Sequence, residues 1–350
     1  MKRIAINGTF FSEKRTGIYR FAEEIIKALD NQVADLDVRL IVPKNISIPL
    51  VLNNIKVIEF GYGKGISWEQ TFFALYLWLH CATALNLCNV TPLLAPRGFS
   101  VIHDISYKVN PQYFSHFYGK FSRLWHCLNY WVIVHFSRHI FSVSDFSKNE
   151  ISKVYGVSPQ KITVTYNSWQ HMLNIKPSDE SIVKQYGLTS HDYFLSLSTI
   201  APNKNFKWIL EVAKKNPLET FAIAGSLNPI RFGLDLTLSN VSNVKFLGYV
   251  CDEDYARLVR ECKAFIFPSF YEGFGLPPLE ALAMGAKIIV SKRASLPEVC
   301  EDAAYYIDPN DYEVDLNRLI MKNDKAISKI LKKYDWNKSA NIITLCIQRH

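Results

Sequence analysis

Two glutamates eight positions apart, Glu272 and Glu280, bracket the segment of this chain best suited to chemistry. Residues 267–280 read FPSFYEGFGLPPLE. An apolar run ends at Phe267, and Pro277 and Pro278 stand where a helix should begin, since proline's missing N–H has no intrahelical partner in the first turn. Gly273 and Gly275 let the backbone bend closely around a ligand. The N–H groups of such a loop and helix start form an anion site that suits a pyrophosphate. Glu272 in the loop and Glu280 in the first helical turn can address separate parts of one ligand, and carboxylates accept readily from sugar hydroxyls. Taken singly, these residues have plainer roles: a glutamate early in a helix complements its dipole, and turn glycines are common. Lys204, at the start of a helical pattern, reads alone as a solvated surface charge. His103, followed by Asp104 at a strand end, reads alone as structural. The combination is far more specific than its parts.

The elements that must position these residues follow from hydrophobic period. Short β-branched runs alternate with longer helical patterns, which predicts mostly parallel sheets with crossover helices. Strands are expected at 3–7, 38–42, 57–60, 99–103, 140–143 and 161–165. A helix from about Gly17 has Ile18, Phe21, Ile25, Ile26 and Leu29 on one face, and another is capped by Ser144 or Asp145. A polar stretch, 176–190, precedes a second series: strands at 194–197, 221–224, 244–247, 264–267, 287–290 and 305–307, with an amphipathic helix at 206–212. The expectation is two doubly wound α/β halves facing each other, with the ligand in a central cleft beyond the strands' carboxyl ends.

At 350 residues, 49% hydrophobic and 21% charged, the chain is globular and long enough for two domains. Its net charge of +8 suits a phosphate-bearing partner: a nucleotide diphosphate, a lipid-linked pyrophosphate or an anionic bilayer. Nucleic acid would suit it too, but no recognised nucleic-acid motif occurs, so none is expected as a partner. Seven scattered cysteines without a CxxC pair argue against zinc ribbons and redox dithiols and fit reduced thiols in a cytoplasmic protein. Met1-Lys2-Arg3 leads directly into the first strand, with no secretory pattern. Residues 71–88 read as a buried helix in preference to a transmembrane span, being borderline in length with polar residues inside. Residues 113–141 mix aromatics with Lys120, Arg123, Arg138 and histidines, as in a core helix with a wet face or a helix lying in a membrane interface.

The 267–280 segment resembles the Glu–seven residues–Glu motif of retaining glycosyltransferases of family four, which have the GT-B fold. The likeness continues through ALAMGAKIIVSKRASLPEVCEDAAYYIDP, residues 281–309. It implies that Glu272 faces the donor sugar, that Glu280 binds the nucleotide ribose, and that Gly273, Phe274, Gly275 and Leu276 cradle sugar and diphosphate. FLSLSTIAPNKNF, residues 194–206, is similar to the family's strand-loop-helix ending in Arg-Lys-Asn. Lys204 matches the lysine that neutralises the diphosphate, with Ser198 and Thr199 in the same donor-binding turn. Asn203 stands where arginine is usual, and Ser198 where glycine is. FLGYV, residues 246–250, resembles the base-binding turn, placing Tyr249 and Val250 near the base. TGIYRFAEEI, residues 16–25, resembles the glycine loop whose Gly17 approaches donor phosphate and acceptor, and VIHDISY, residues 101–107, the His-Asp element, making His103 an active-site residue. Asn167-Ser168 replaces the family's Asn-Gly. The domains implied are 1–175 on the acceptor side, 190–334 binding nucleotide-sugar, and a C-terminal helix at 335–350 packing back toward the N-terminal domain.

The resemblance implies a retaining hexosyl transfer in which His103, Glu272 and Lys204 are catalytic. No paired carboxylates with metal-ligand spacing occur, so neither a metal nor a cofactor is expected, a lysine and helix dipoles taking the metal's place. The pattern looks most like bacterial mannosyl- and rhamnosyltransferases of O-antigen or capsule assembly. GDP-mannose is the favoured donor, followed by dTDP-rhamnose or a UDP-sugar. The implied acceptor is a glycan, linked to polyprenyl diphosphate at the inner leaflet, with peripheral contact to the inner membrane. Two other classes remain: a nucleotide-sugar epimerase of the same architecture, which needs no acceptor, and a non-catalytic module that binds sugar or nucleic acid.

Overall fold

The computed structural model describes residues 3–13, 15–115, 117–197, 201–225, 241–321 and 327–350. The chain forms two compact units, Met1–Asn167 with Asp335–His350, and Ser168–Tyr334.

The first unit is built on a seven-stranded parallel sheet: β1 (Ile4–Asn7), β2 (Val38–Val42), β3 (Lys56–Glu59), β4 (Thr83–Asn86), β5 (Phe99–Ile102), β6 (His139–Ser142) and β7 (Ile162–Val164). Their order is β3-β2-β1-β4-β5-β6-β7. β1, β5 and β6 are buried at every position, because helices cover both faces of such a sheet and leave no solvated side to impose alternation. Helix α1 (Gly17–Asp30) buries Phe21, Ala22, Ile25, Ile26 and Leu29, the spacing of one helical face. Thr16 caps it, its hydroxyl accepting from the Tyr19 N–H at 3.3 Å. At the other end the Asp30 carboxylate accepts the backbone N–H groups of Asn53, Asn54 and Ile55 at 2.7–2.8 Å, which anchors the loop into β3.

Helix α2 (Phe117–Phe136) sets Tyr130, Ile133 and Val134 against Ile102, Ile140 and Ile162. Its opposite side leaves Tyr118, Phe121, Leu124, Leu128, Trp131 and Phe136 exposed. Helix α3 (Asp145–Tyr155) is capped by Ser144, whose hydroxyl accepts from Ser147 N–H at 3.1 Å, and it stops at left-handed Gly156. The last helix of this unit comes from Asp335–His350, at the far end of the sequence.

Residues 71–88 correct the sequence reading. They are not one buried helix: a π-helical turn (Glu69–Phe73) runs into a short helix (Ala74–Leu79), and β4 follows. The helix ends at His80 and Cys81, the latter at φ +48°, and Trp78 and Leu79 are exposed. β4 escaped notice because a strand buried on both faces has no period of two to distinguish it from helix. No described helix is long and apolar enough to cross a membrane.

The second unit holds a six-stranded parallel sheet of β8 (Tyr193–Leu197), β9 (Thr220–Ala224), β10 (Val244–Gly248), β11 (Ala264–Phe267), β12 (Ile288–Ser291) and β13 (Ala304–Ile307). Its order is β10-β9-β8-β11-β12-β13. Helix α4 (Phe206–Lys215) follows β8 and packs Phe206, Trp208, Ile209 and Val212 into a core shared with Phe221, Ile266, Ile289 and Leu316. Helices α5 (Asp252–Arg260) and α6 (Leu276–Ala283) precede and follow β11. In the first unit, α7 (Trp336–Arg349) starts at Asp335, whose carboxylate accepts from the N–H groups of Asn337 and Lys338, and packs along α1. In both sheets the order reverses beside the first strand of the unit, between β1 and β4 and between β8 and β11. Such a reversal opens a crevice at the carboxyl ends of the two strands, the usual ligand position in doubly wound sheets.

Candidate active site

In the second unit, Lys204 and Glu272 lie on the two loops that leave this reversal. Lys204 ends a short turn (Pro202–Lys204) after β8, and Asn205 then takes left-handed backbone, φ +51°, to start α4. Asparagine tolerates that region, and its amide donates to the carbonyls of Pro268 at 3.2 Å and Pro309 at 2.8 Å. The turn is thereby fastened to the loops after β11 and β13. Glu272 follows β11. The Lys204 ammonium stands 2.8 and 3.0 Å from its two carboxylate oxygens and 5.2 Å from the Phe267 ring centroid.

Asn203, where the resemblance leads one to expect arginine, holds the same corner shut. Its carbonyl accepts from Phe270 N–H at 2.7 Å and its amide donates to the Tyr271 carbonyl at 3.3 Å. Ser295 pins the other side, its hydroxyl lying 3.0 and 2.9 Å from the carbonyls of Glu272 and Phe274. Of the two motif glycines, Gly275 is the one whose backbone demands the residue: φ is +95°, and a Cβ there would sit 2.5 Å from Leu296 Cδ2. Pro277 and Pro278 have no N–H and so contribute no donor to an anion at the start of α6.

Glu280, 8% exposed in α6, accepts a hydrogen bond from His171 Nε2 at 2.8 Å. Sequence reasoning missed His171. It lies in a short turn (Gln170–Asn174) far upstream, and no neighbouring motif marks it. By accepting the imidazole proton, Glu280 is held in one orientation. Tyr249 and Val250 follow edge strand β10, Tyr249 being 83% exposed. Ser198 and Thr199 lie outside the described residues.

In the first unit, His103 follows β5 and is buried, 5% exposed. Its Nε2–H donates to the Leu87 carbonyl at 2.8 Å, its backbone N–H to Asn89 Oδ1 at 2.7 Å, and the Phe21 ring of α1 meets it edge-on at 4.7 Å. That donation leaves the lone pair on Nδ1. Gly17, the first residue of α1, has open space where a Cβ would be. Asp104 shapes the turn after His103, accepting from Ser106 N–H at 2.9 Å. Burial drives the His103 imidazole down from 6.5 to about 4, against the Leu87 bond, which favours the proton. The ring is therefore neutral at pH 7. As pH falls from about 6.5 to 4 the unfolded chain takes up a proton that the folded one refuses, so stability drops across that window. This residue accounts for about 3 kcal/mol of the loss. Urea unfolding at pH 7 and pH 4.5 should show it, and His103→Gln should flatten the dependence.

A second group missed in the sequence sits at the first unit's order reversal. Glu69, in the π-helical turn, is buried and accepts from Asn7 Nδ2 at 2.8 Å, and Asn7 also reaches Asn86 at 3.3 Å. Burial lifts the Glu69 carboxyl to about 7, against the hydrogen bonds from Asn7 and Gln70. The π turn is itself a signal often found at functional sites, but nothing in the sequence announces one.

Residues 178–334 of the chain match the family described as glycosyl transferases group 1, and the two parallel sheets have the GT-B architecture. Its relatives include O-antigen chain mannosyltransferase B of Escherichia coli, 33% identical over 184 residues that make up 50% of this chain and 48% of that protein. They also include the serotype-specific mannosyltransferase WbdA of Escherichia coli, 33% identical over 185 residues, 47% of this chain and 22% of that protein. The chain thus spans about half the length, or less, of these curated relatives. Among solved structures, Anabaena HepE in complex with UDP and glucose superposes with a TM-score of 0.72 over 100% of both chains at 16% identity, a likeness of fold.

Proposed function

We propose that the protein is a retaining hexosyltransferase that moves mannose from GDP-mannose onto a glycan of O-antigen type carried on polyprenyl diphosphate. The observation that carries this reading is the Lys204–Glu272 pair, 2.8 Å apart on the two loops that leave the β8–β11 reversal. A pyrophosphate arriving there draws the ammonium, and charge-assisted hydrogen bonds are the strong ones. The carboxylate is then left to sugar hydroxyls. In the transfer, the bond from the anomeric carbon to the diphosphate oxygen breaks as the acceptor oxygen bonds to the same face. The acceptor's proton passes to the departing phosphate. The protein's contribution is preorganised charge at the leaving group, and the reading requires no cation at the donor. Mannose is preferred because the relatives at 33% identity are named mannosyltransferases; dTDP-rhamnose and UDP-sugars are the next donors to try.

The test supplies GDP-mannose, dTDP-rhamnose and UDP-glucose in turn, with and without a lipid-linked oligosaccharide. Acceptor-dependent release of nucleoside diphosphate, with the donor's anomeric configuration kept in the product, is expected. An altered nucleotide-sugar formed without acceptor would establish the epimerase instead, and binding without turnover a non-catalytic module.

A lipid-linked acceptor calls for contact with a bilayer, and α2 supports it. Between Asp104 and Asp145 the sequence has no acidic residue. The helix displays Phe121, Leu124, Leu128 and Trp131 beside exposed Lys120. Apolar side chains entering the headgroup region beside basic ones favour anionic lipid. Co-sedimentation with phosphatidylglycerol vesicles should exceed that with phosphatidylcholine and weaken with salt. Phe121→Ser with Trp131→Ser should lower the affinity by at least about tenfold, the equivalent of about 1.4 kcal/mol of lost burial. Equal binding by the double variant would remove α2 from the membrane.

A further inference from the structure

A cluster that the proposed reaction does not use lies at the amino-terminal edge of the first sheet, whereas His103 follows a carboxyl end. His139 opens β6, and Cys346 and His350 lie four positions apart where α7 ends, so both project from one helical face. A ring nitrogen of each histidine and the Cys346 sulfur all lie within 4.8 Å of one another. The two imidazoles stack with centroids 5.7 Å apart. His139 Nε2 is 2.8 Å from Thr163 Oγ1. Donation of its proton to that hydroxyl leaves the Nδ1 lone pair available, the outer partnership that orients histidine ligands in metal centres.

We propose that His139, Cys346 and His350 bind a transition-metal dication of the zinc class. Two imidazoles and a thiolate match zinc and its neighbours and are the wrong donors for magnesium or calcium. Three protein ligands with an open fourth position are an established zinc arrangement. Ligand atoms around one tetrahedral zinc stand roughly 3.3–3.8 Å apart, from bond lengths of about 2.0–2.3 Å. The present triangle, within 4.8 Å, must tighten to reach that size, and His350 is the most exposed of the three.

Arg138, Lys161 and Arg349 line the same cavity of about 650 Å³ and oppose a cation. Two of these groups are turned to carbonyls: Lys161 donates to Val134 O at 2.8 Å, and Arg138 to Arg97 O and His350 O, both at 3.3 Å. The thiolate formed on binding and the negative end of the α7 dipole offset the rest. A metal here would fasten the last turn of α7 to β6. The opposite end of α7 carries Trp336, 6.0 Å from the Phe21 ring that packs on His103. The metal therefore acts on the framework, and the transfer itself runs without it.

The experiment uses the whole protein stripped with a chelator and titrated with cobalt(II), then zinc(II). One equivalent of cobalt should bind and give a thiolate-to-metal charge-transfer band. Zinc should displace it and raise the melting temperature, with the release of about one proton per site as the thiol ionises. Cys346→Ser should abolish the band, while Cys81→Ser, at an exposed thiol outside the cluster, should retain it. His350→Ala should weaken binding at least about tenfold, and this exposed position carries the test if the cysteine variant fails to fold. A band that persists in Cys346→Ser, binding unchanged in His350→Ala, or a melting temperature raised by phosphate and not by zinc would overturn the proposal. Transfer activity of the stripped protein should equal that of the loaded protein, so the failure of this site leaves the donor-site reading untouched.

Discussion

Lys204→Ala should lower kcat by roughly 100- to 1000-fold, the usual cost of removing one preorganised donor to developing charge, with the fold intact. The fold survives because the Lys204 side chain is partly solvated and its stem lies outside the second unit's core. The turn that carries the lysine is held by Asn203 and Asn205 through backbone carbonyls, and those bonds do not involve the ammonium. Single-turnover kinetics at saturating donor isolates the chemical step, and circular dichroism with a thermal melt checks the fold. Lys204→Arg should recover only part of the rate, since a planar fork cannot reproduce a point charge. Glu272→Ala should fall by a similar factor. Unchanged turnover in either alanine variant would refute the donor-site assignment.

Trp208→Ala should destabilise the second unit by about 3–5 kcal/mol. The indole is 0% exposed, and it packs in the cluster that joins α4 to β9, β11 and β12. Its Nε1–H also donates to the Asp311 carbonyl at 2.7 Å, tying α4 to the chain after β13. Truncation opens a cavity and orphans that acceptor, and close-packed interiors relax only in part. In urea the midpoint should fall with the slope unchanged, the mark of a pure stability effect. Trp208→Phe, which keeps the ring but loses the hydrogen bond, should cost markedly less. A midpoint for Trp208→Ala within error of the parent would show that this core is not the one the unit depends on.

The two sheets were legible because nearly every strand is a short apolar run set between helical patterns. The positions that failed have physical reasons. β4 is Thr-Ala-Leu-Asn, too short and too uniformly buried to show a period, and it follows helical residues without a glycine or proline to mark the change. The Lys204–Glu272 pair could be placed on neighbouring loops because each follows a recognisable strand, but its spacing depends on β8 and β11 pairing in parallel, which no local pattern encodes. His171 depends on the same kind of long-range placement. Asn203 read as a departure from a pattern, and the structure gives it a purpose in fastening the loop. The aromatic segment at 113–141 left core and surface readings open, and α2 uses both faces: one buries Tyr130 and Ile133, the other exposes Phe121 and Trp131.

The last helix of the chain completes the unit that the first strand begins. During synthesis, which proceeds from the N-terminus, Phe21 and its neighbours on α1 emerge long before Trp336 exists to meet them. The face of α1 that α7 covers stays open until Ser168–Tyr334, which is one continuous segment, has been made. Domains generally fold in the order they are made; a nascent chain halted before residue 335 should hold a structured later half beside an earlier one whose α1 face still binds chaperones.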